Sequence, residues 1–327
     1  MNNFLKIISV FSFCIFFSNC GTTDDEIPET PIRDFEAQYR IDQENIKLFL
    51  KTHSVTYDAD FLVTGYPRVT LLSVTSMWGD NDEVHKTSLL ERNFTFKDKN
   101  YIIYYIKLAQ GGGDYPCDAD AVNVNYIGST LPTSVETPVG PAFEAFVTKP
   151  SLNLYNSIVG WSEVFPSFNV STSLNGNDFG AGVIFIPSGF AYFSRALDKI
   201  PSYSPLIFSF QLYSLEHLDQ DNDGILSVNE DINNDRYVGT DDTDDDSVPN
   251  FLDFDDDNDN VLTAIENKRP KTVINGVSVD NGSFSYNGSL LDNPLTPNID
   301  ERQGVPNCSN DYTTVGRVRK YLDKNCQ

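Results

Sequence analysis

Residues 186–215 read IPSGFAYFSRALDKIPSYSPLIFSFQLYSL, and this stretch decides the fold. It joins aromatic, Ile-Pro and Ser-Pro elements to an alternating run. Leu206, Phe208, Phe210 and Leu212 fall on one face of a strand, with Ile207, Ser209 and Gln211 on the other. Upstream, Tyr126 and residues 158–161 have the character of the remainder of an apolar pocket that this stretch would close. Downstream, the chain turns abruptly into a ladder of aspartates that begins at Asp219.

The 327 residues correspond to roughly two domains, and 40% hydrophobic with 13% aromatic content supplies a sizeable core. A net charge of −24, with no basic cluster to neutralise phosphates, argues against nucleic acid as a partner. The charge is unevenly placed. Residues 219–266 carry 17 acids and a single base, Arg236, and so hold −16 of the −24.

The N-terminus reads as a targeting segment. Lys6 precedes an apolar run, residues 7–17, too short to span a bilayer, and Cys20 follows. The pattern resembles a bacterial lipoprotein signal in which Cys20 carries the lipid, although Asn19 stands where a small residue is expected. An outer-membrane lipoprotein, tethered through its lipid and facing periplasm or cell surface, is the expectation. Residues 20–34 then form a polar tether. Removal of the signal takes Cys14 away, leaving Cys117, Cys308 and Cys326; in an oxidising compartment Cys308 and Cys326 are placed to staple the C-terminal tail. None lies in a Cys-x-x-Cys motif and the chain has three His, which disfavours zinc.

Phe35–Thr52 has helical spacing through Ile41, Ile46, Leu48 and Phe49, with Asp34 as its cap, and is expected to pack on its own domain. Residues 35–98 read as an N-terminal extension with strands around 61–63, 69–74 and 94–96. His53 and His85 are lone histidines, read as structural or merely exposed. Strands follow at 101–109, ended by three glycines, and at 121–127, with Val122, Val124 and Tyr126 on one face.

From here the landmarks accumulate. A strand, a Gly-rich turn, a Pro and V-x-V-x-Y-x-G are followed by Leu152-Asn153-Leu154, Ser157-Ile158-Val159-Gly160-Trp161, Ile186-Pro187 with Ala191-Tyr192, and Ile200-Pro201 before Leu206-Ile207-Phe208. In this order and spacing, residues 99–217 resemble an FKBP-type peptidyl-prolyl cis-trans isomerase. The resemblance implies an α+β fold, a half-open antiparallel sheet wrapped on a short helix. It implies a pocket of Tyr126, Ile158, Trp161, Tyr192, Ile200 and Phe208, with Trp161 as floor, that acts without a cofactor on X-Pro segments of exported client proteins. The family's Phe-Asp element is altered: Phe143-Glu144 is the nearest counterpart, and the Asp role is not transferred to it. The segment between Trp161 and Pro187 is also longer than the family's. An inactive, FKBP-like binding module or chaperone is the alternative.

Residues 218–267 carry the strongest local motif. Asp219, Asp221, Asp223, Gly224 and Glu230 satisfy D-x-D-x-D-G-x₅-E in every position, with the Ile225 carbonyl as the seventh-position ligand. All-oxygen donors select calcium. Looser copies follow as Asp231, Asn233, Asp235 and Asp242; as Asp242, Asp244, Asp246 and Asp253; and as Asp255, Asp257, Asp259 and Glu266. The spacing leaves no room for paired helices, so the segment resembles thrombospondin type 3 aspartate repeats. Structural calcium is expected, with Ile225, Val248, Phe251, Phe254 and Val261 as packing points. Residues 268–327 form a Ser-, Asn- and Gly-rich tail whose sequons at Asn281 and Asn287 read as turns.

Overall fold

The structure is a computed structural model that describes residues 31–56, 68–71, 77–78, 89–132, 139, 142–146, 150–284, 286, 304–312, 314 and 316–326. Cys14, Cys20, His85, Asn287 and the strand expected at 61–63 lie outside the described residues. Residues 34–327 form one compact unit. No helix among the described residues is long and apolar enough to cross a membrane.

The fold is α+β, built on an open seven-stranded antiparallel sheet. Strands β3 (Leu89–Phe96), β4 (Lys99–Ala109), β5 (Ala121–Thr130), β6 (Glu144–Phe146), β7 (Ser151–Asn153), β8 (Gly180–Ile186) and β9 (Leu206–Glu216) take the order β3-β4-β8-β9-β5-β6, and β7 also pairs with β5. A separate two-stranded ribbon joins β1 (His53–Thr56) to β2 (Arg68–Leu71). β9 sits between β8 and β5, in register Ile184↔Phe208 and Tyr126↔Phe210. The alternation read from residues 206–212 is realised. Leu206, Phe208, Phe210 and Leu212 enter a core with Trp161, Val164, Phe165 and Phe168, which come from the short helix α2 (Val159–Val164) and the segment after it.

The other face of β9 is covered as well. Ile207 joins Val183, Phe185, Tyr104 and Ile106 against Ile46, Phe49 and Leu50 of helix α1 (Phe35–Thr52) and Met77 and Trp78. This explains why every residue of β8 is buried and why its sequence, GAGVIFI, shows no polar alternation. β3, inside the stretch read as an extension, forms a hairpin with β4 in the same sheet.

Helix α1 has the expected bounds and its cap, Asp34 Oδ1 accepting from the Ala37 N–H at 2.8 Å. Its buried face differs from the expected one: Ile41 and Leu48 are 47% and 50% exposed. The inward side instead uses Phe35, Tyr39, Ile46, Phe49 and Leu50 together with the polar Gln38, Asp42 and Gln43. The reason lies in the backbone that α1 covers. The pairing of β4 with β8 starts at Tyr104, and at Ile102 the Tyr39 hydroxyl accepts from the backbone N–H (2.8 Å) while Gln43 Nε2 donates to the carbonyl (2.7 Å). Polar side chains on a buried helix face here substitute for a missing strand.

Asp42 acts on the segment that overhangs the sheet. Its Oδ2 accepts from the Ser188 N–H at 2.7 Å and the Ser188 hydroxyl at 2.6 Å, and Gln38 Nε2 donates to its Oδ1 at 2.7 Å. Both Asp42 and Ser188 are fully buried. Asp42→Ala is therefore expected to destabilise the chain by about 3 kcal/mol in urea unfolding, since it strips charged acceptors from two buried donors. A loss below about 0.5 kcal/mol would contradict this role.

Candidate functional site

Three aromatic rings set the floor of a cup at one end of the sheet. Trp161 enters from the first turn of α2, Tyr126 from β5 and Phe208 from β9. Their centroids lie 4.8 Å (Tyr126–Trp161), 4.9 Å (Trp161–Phe208) and 5.8 Å (Tyr126–Phe208) apart, each pair near edge-to-face. α2 approaches the sheet closely because residue 160 has no side chain: a Cβ on Gly160 would fall 2.5 Å from Ile186 Cγ2. Above the floor is a cavity of about 470 Å³, walled also by Ile158, Tyr192, Ala191, Leu152 and Glu144. The size suits one small cyclic side chain with its flanking backbone.

Five of the six residues expected in a pocket line this one cavity: Tyr126, Ile158, Trp161, Tyr192 and Phe208. Ile200 does not. It lines an adjoining hollow of about 350 Å³ with Phe143, Leu197 and Lys199, on the far side of Tyr192 and Glu144, which border both. Glu144 is the residue that sequence reasoning left without a role. The Tyr126 hydroxyl donates to its Oε2 at 3.0 Å, across paired strands β5 and β6. Phe143 meets Phe208 edge-on at 5.7 Å, so Phe143-Glu144 occupies the rim despite its displaced position in the chain.

Electrostatics keep the cup neutral at its floor. Burial first, and then the hydrogen bond and charge of Glu144, raise Tyr126 well above its ordinary range. Burial, reinforced by the charge of Glu144, also raises Tyr192. Both phenols are hydrogen-bond donors at any physiological pH. The Ile158 N–H, at the N-terminal end of α2, has no acceptor among the described residues. The cup can hold an apolar ring and offer donors to a carbonyl; it contains no nucleophile paired with a base.

The second assembly is the aspartate ladder. Four loops start at Asp219, Asp231, Asp242 and Asp255, and one pattern repeats in all of them. The N–H of the sixth residue donates to the first Asp: Gly224 to Asp219 (3.1 Å), Arg236 to Asp231 (2.7 Å), Ser247 to Asp242 (2.9 Å), Asn260 to Asp255 (3.0 Å). The seventh N–H donates to the fifth Asp: Ile225 to Asp223, Tyr237 to Asp235, Val248 to Asp246, Val261 to Asp259. The sixth residue is left-handed throughout, with φ +97° at Gly224 and +76°, +79° and +73° at Arg236, Ser247 and Asn260. Glycine meets that demand without strain only in the first loop.

The oxygens divide by task. In Asp219, Asp221, Asp223, Asp242, Asp257 and Asp259 one carboxylate oxygen accepts a backbone N–H, and the other is buried with no donor. The carboxylate oxygens of Asp219, Asp221 and Asp223 converge to within 4.8 Å, as do those of Asp242, Asp244 and Asp246, and of Asp255, Asp257 and Asp259. Buried carboxylate oxygens without donors are costly unless a cation meets them. The donor set, all oxygen, fits a hard divalent ion.

Glu230 and Glu266 stand where the motif places them. Burial, with Asp256 and Asp223 as the nearest charges, pushes Glu230 up to about 11; burial and Asp257 raise Glu266 to about 8. Asp253 is raised by burial and lies near Asp246 and Asp244, on the third loop. The second loop departs from expectation. Asp242 joins Asp244 and Asp246, while Asp241 faces Asp231 and Asp235 and accepts from Asn233 Nδ2 at 3.2 Å. Among the expected packing points Ile225 and Phe251 are buried, whereas Val248 and Phe254 are exposed. Asp256, unforeseen in sequence, reaches Asp223 and Glu230.

The ladder is packed on the cup's supporting helix. The Tyr237 hydroxyl donates to the Glu163 carbonyl (2.8 Å), Arg236 Nη1 donates to the Pro166 carbonyl (2.8 Å), and Arg92 stacks on the Tyr237 ring at 3.4 Å while pairing with Glu163. Behind it, Cys117 and Ala119 pack against Val238 and Phe251. Cys308 and Cys326, placed in sequence to staple the tail, are both free thiols, and Cys308 Sγ donates to Asp323 Oδ2 at 3.3 Å.

Comparison with known proteins gives the following. A family model described as BamM C-terminal matches residues 220–298. No curated protein matches the chain. Among solved structures, a peptidyl-prolyl cis-trans isomerase from Pseudomonas syringae pv. tomato is similar with a TM-score of 0.34 and 18% identity, over 57% of this chain and 99% of that one. FkpA from Escherichia coli is similar with a TM-score of 0.29 and 25% identity, over 38% of this chain and 52% of that one. The N-terminal domain of FKBP42 from Arabidopsis thaliana gives 0.28 and 12%, over 35% and 86%.

Proposed function

We propose that this chain is a peptidyl-prolyl cis-trans isomerase of the FKBP type, acting on X-Pro segments of exported proteins, with an aspartate ladder that binds structural calcium. The observation that carries the reading is the Tyr126–Trp161–Phe208 cup under Tyr192, with donors and no nucleophile. Anchoring through Cys20 at the outer membrane belongs to the same proposal and rests on the sequence pattern alone.

Rotation about an X-Pro bond faces a barrier of about 20 kcal/mol because twisting the amide breaks its resonance. The planar amide is dipolar and well solvated; the twisted one is less so. A ring seated on Trp161 between Tyr126 and Phe208 brings its carbonyl out of water, which disfavours the planar form. The Tyr192 hydroxyl and the Ile158 N–H are the donors placed to hold the carbonyl oxygen in the twisted geometry, and tighter binding of that geometry lowers the barrier. Glu144 fixes the Tyr126 hydroxyl, so the wall is oriented before substrate arrives.

The test is isomerisation of a short X-Pro peptide by the full chain, with Trp161→Ala and Tyr192→Ala beside it. Acceleration by the wild type that falls about tenfold or more in both variants is expected. Binding without acceleration in the wild type would instead establish a docking cup, the reading favoured if a longer Glu144 in place of an Asp narrows the site too far.

A further inference from the structure

Asp256 occupies the second position of the fourth loop, where its backbone N–H donates to Thr263 Oγ1 at 3.3 Å but its side chain makes no hydrogen bond within the loop. The equivalent residues of the other loops are Gln220, Ile232 and Thr243. It is nevertheless 1% exposed, and neither of its carboxylate oxygens has a hydrogen-bond donor. The same holds for Glu230, 1% exposed with both oxygens unpartnered. These two and Asp223, whose Oδ2 is also unpartnered, each offer one carboxylate oxygen to a group whose oxygens lie within 4.8 Å of one another. Three buried carboxyl groups converge there, with no cationic side chain bonded to them among the described residues. Asn267 Nδ2 donates to the Gly224 carbonyl at 3.0 Å across the same junction, so the first and fourth loops are already in register.

We propose that Asp256 completes the first loop's cation site from the fourth loop. A single hard divalent cation, calcium by the donor set, then takes Asp223 and Glu230 from one end of the ladder and Asp256 from the other. The inference rests on the calcium reading above and adds to it a cross-link between distant loops. The site would gain one carboxylate over the motif's own set, and affinity in all-oxygen sites grows with ligand charge and rigidity. The first loop would thus hold the tightest of the chain's ions, and filling it would order the fourth loop.

Calcium titration of the full chain against a competing chelator tests this, comparing wild type with Asp256→Asn and with Asp245→Asn, an equal charge change in the third loop. Asp256→Asn is expected to weaken the tightest site at least about tenfold, and Asp245→Asn to leave it within about twofold. A tightest site unchanged in Asp256→Asn while the wild type binds calcium overturns this inference alone. No calcium binding by the wild type overturns the calcium reading with it. Hydrogen exchange of the wild type at one equivalent of calcium decides independently of how the variant folds. Amides of residues 219–230 and 255–266 are expected to gain protection together. Protection of 219–230 with 255–266 unchanged counts against the cross-link.

Discussion

Withdrawing calcium from the full chain with a chelator is expected to lower its thermal midpoint by about 10 °C, the largest effect foreseen for this protein. Saturation of one site at a thousand times its dissociation constant contributes about 4 kcal/mol, and each kcal/mol moves a domain of this size by about 2–4 °C. The ion-free ladder should also carry a pH signature. Burial and neighbouring carboxylates raise Asp223 to about 7, Asp221 to about 8 and Asp256 to about 9, from an ordinary 3.8. The folded, ion-free chain therefore keeps protons that the unfolded chain releases near pH 3.8. That stabilisation is complete below this pH and is lost as pH climbs to about 9 for the aspartates and to about 11 for Glu230. With calcium present the order reverses, because ions displace protons and bind better to ionised carboxylates. Melting curves in chelator should fall with pH across this window, and those in calcium should not. Superimposable curves would remove the cation from the account.

Gly160→Val is the second large effect, and it acts on the cup. The added Cβ would meet Ile186 Cγ2 at 2.5 Å and Cδ1 at 2.6 Å, inside a side chain that is fully buried between α2 and the sheet. Neither partner has room to yield, so α2 must lift. Overpacking of this kind costs about 1–3 kcal/mol, or roughly 5 °C in melting temperature. Trp161, next in sequence, moves with the helix. Its fluorescence should shift to the red and peptide isomerisation should fall, while Gly276→Ala, whose Cβ meets nothing and whose strain at φ +79° stays within its own turn, leaves both unchanged. Full activity in Gly160→Val would mean that the close approach of α2 is irrelevant to the cup.

Much of this architecture was legible because it is written locally. Period-two alternation placed β9, helical spacing and Asp34 placed α1, and the aspartate spacing placed the loops. What escaped was pairing between residues far apart in the chain. Nothing near Asp42 announces that it holds Ser188, 146 residues away. Glu144 pairs with Gly128 across β5 and β6, which brings its carboxylate to the Tyr126 hydroxyl, and a shifted spacing had concealed this. Ile41 and Leu48 misled because hydrophobicity alone could not reveal that α1 covers a strand edge requiring Tyr39 and Gln43. Asp241 displaced Asp242 in the second loop for a similar reason: a twelve-residue template cannot register a loop one residue shorter.

That shorter loop has a consequence for how the ladder can change over time. The four loops begin at 219, 231, 242 and 255, so successive intervals are 12, 11 and 13 residues. Yet the hydrogen bonds from the first through the seventh position are the same in each. The heads are rigid units and the turns between them act as adjustable spacers. Single-residue insertions and deletions should therefore accumulate between the seventh position of one loop and the first of the next, and be purged from within the heads.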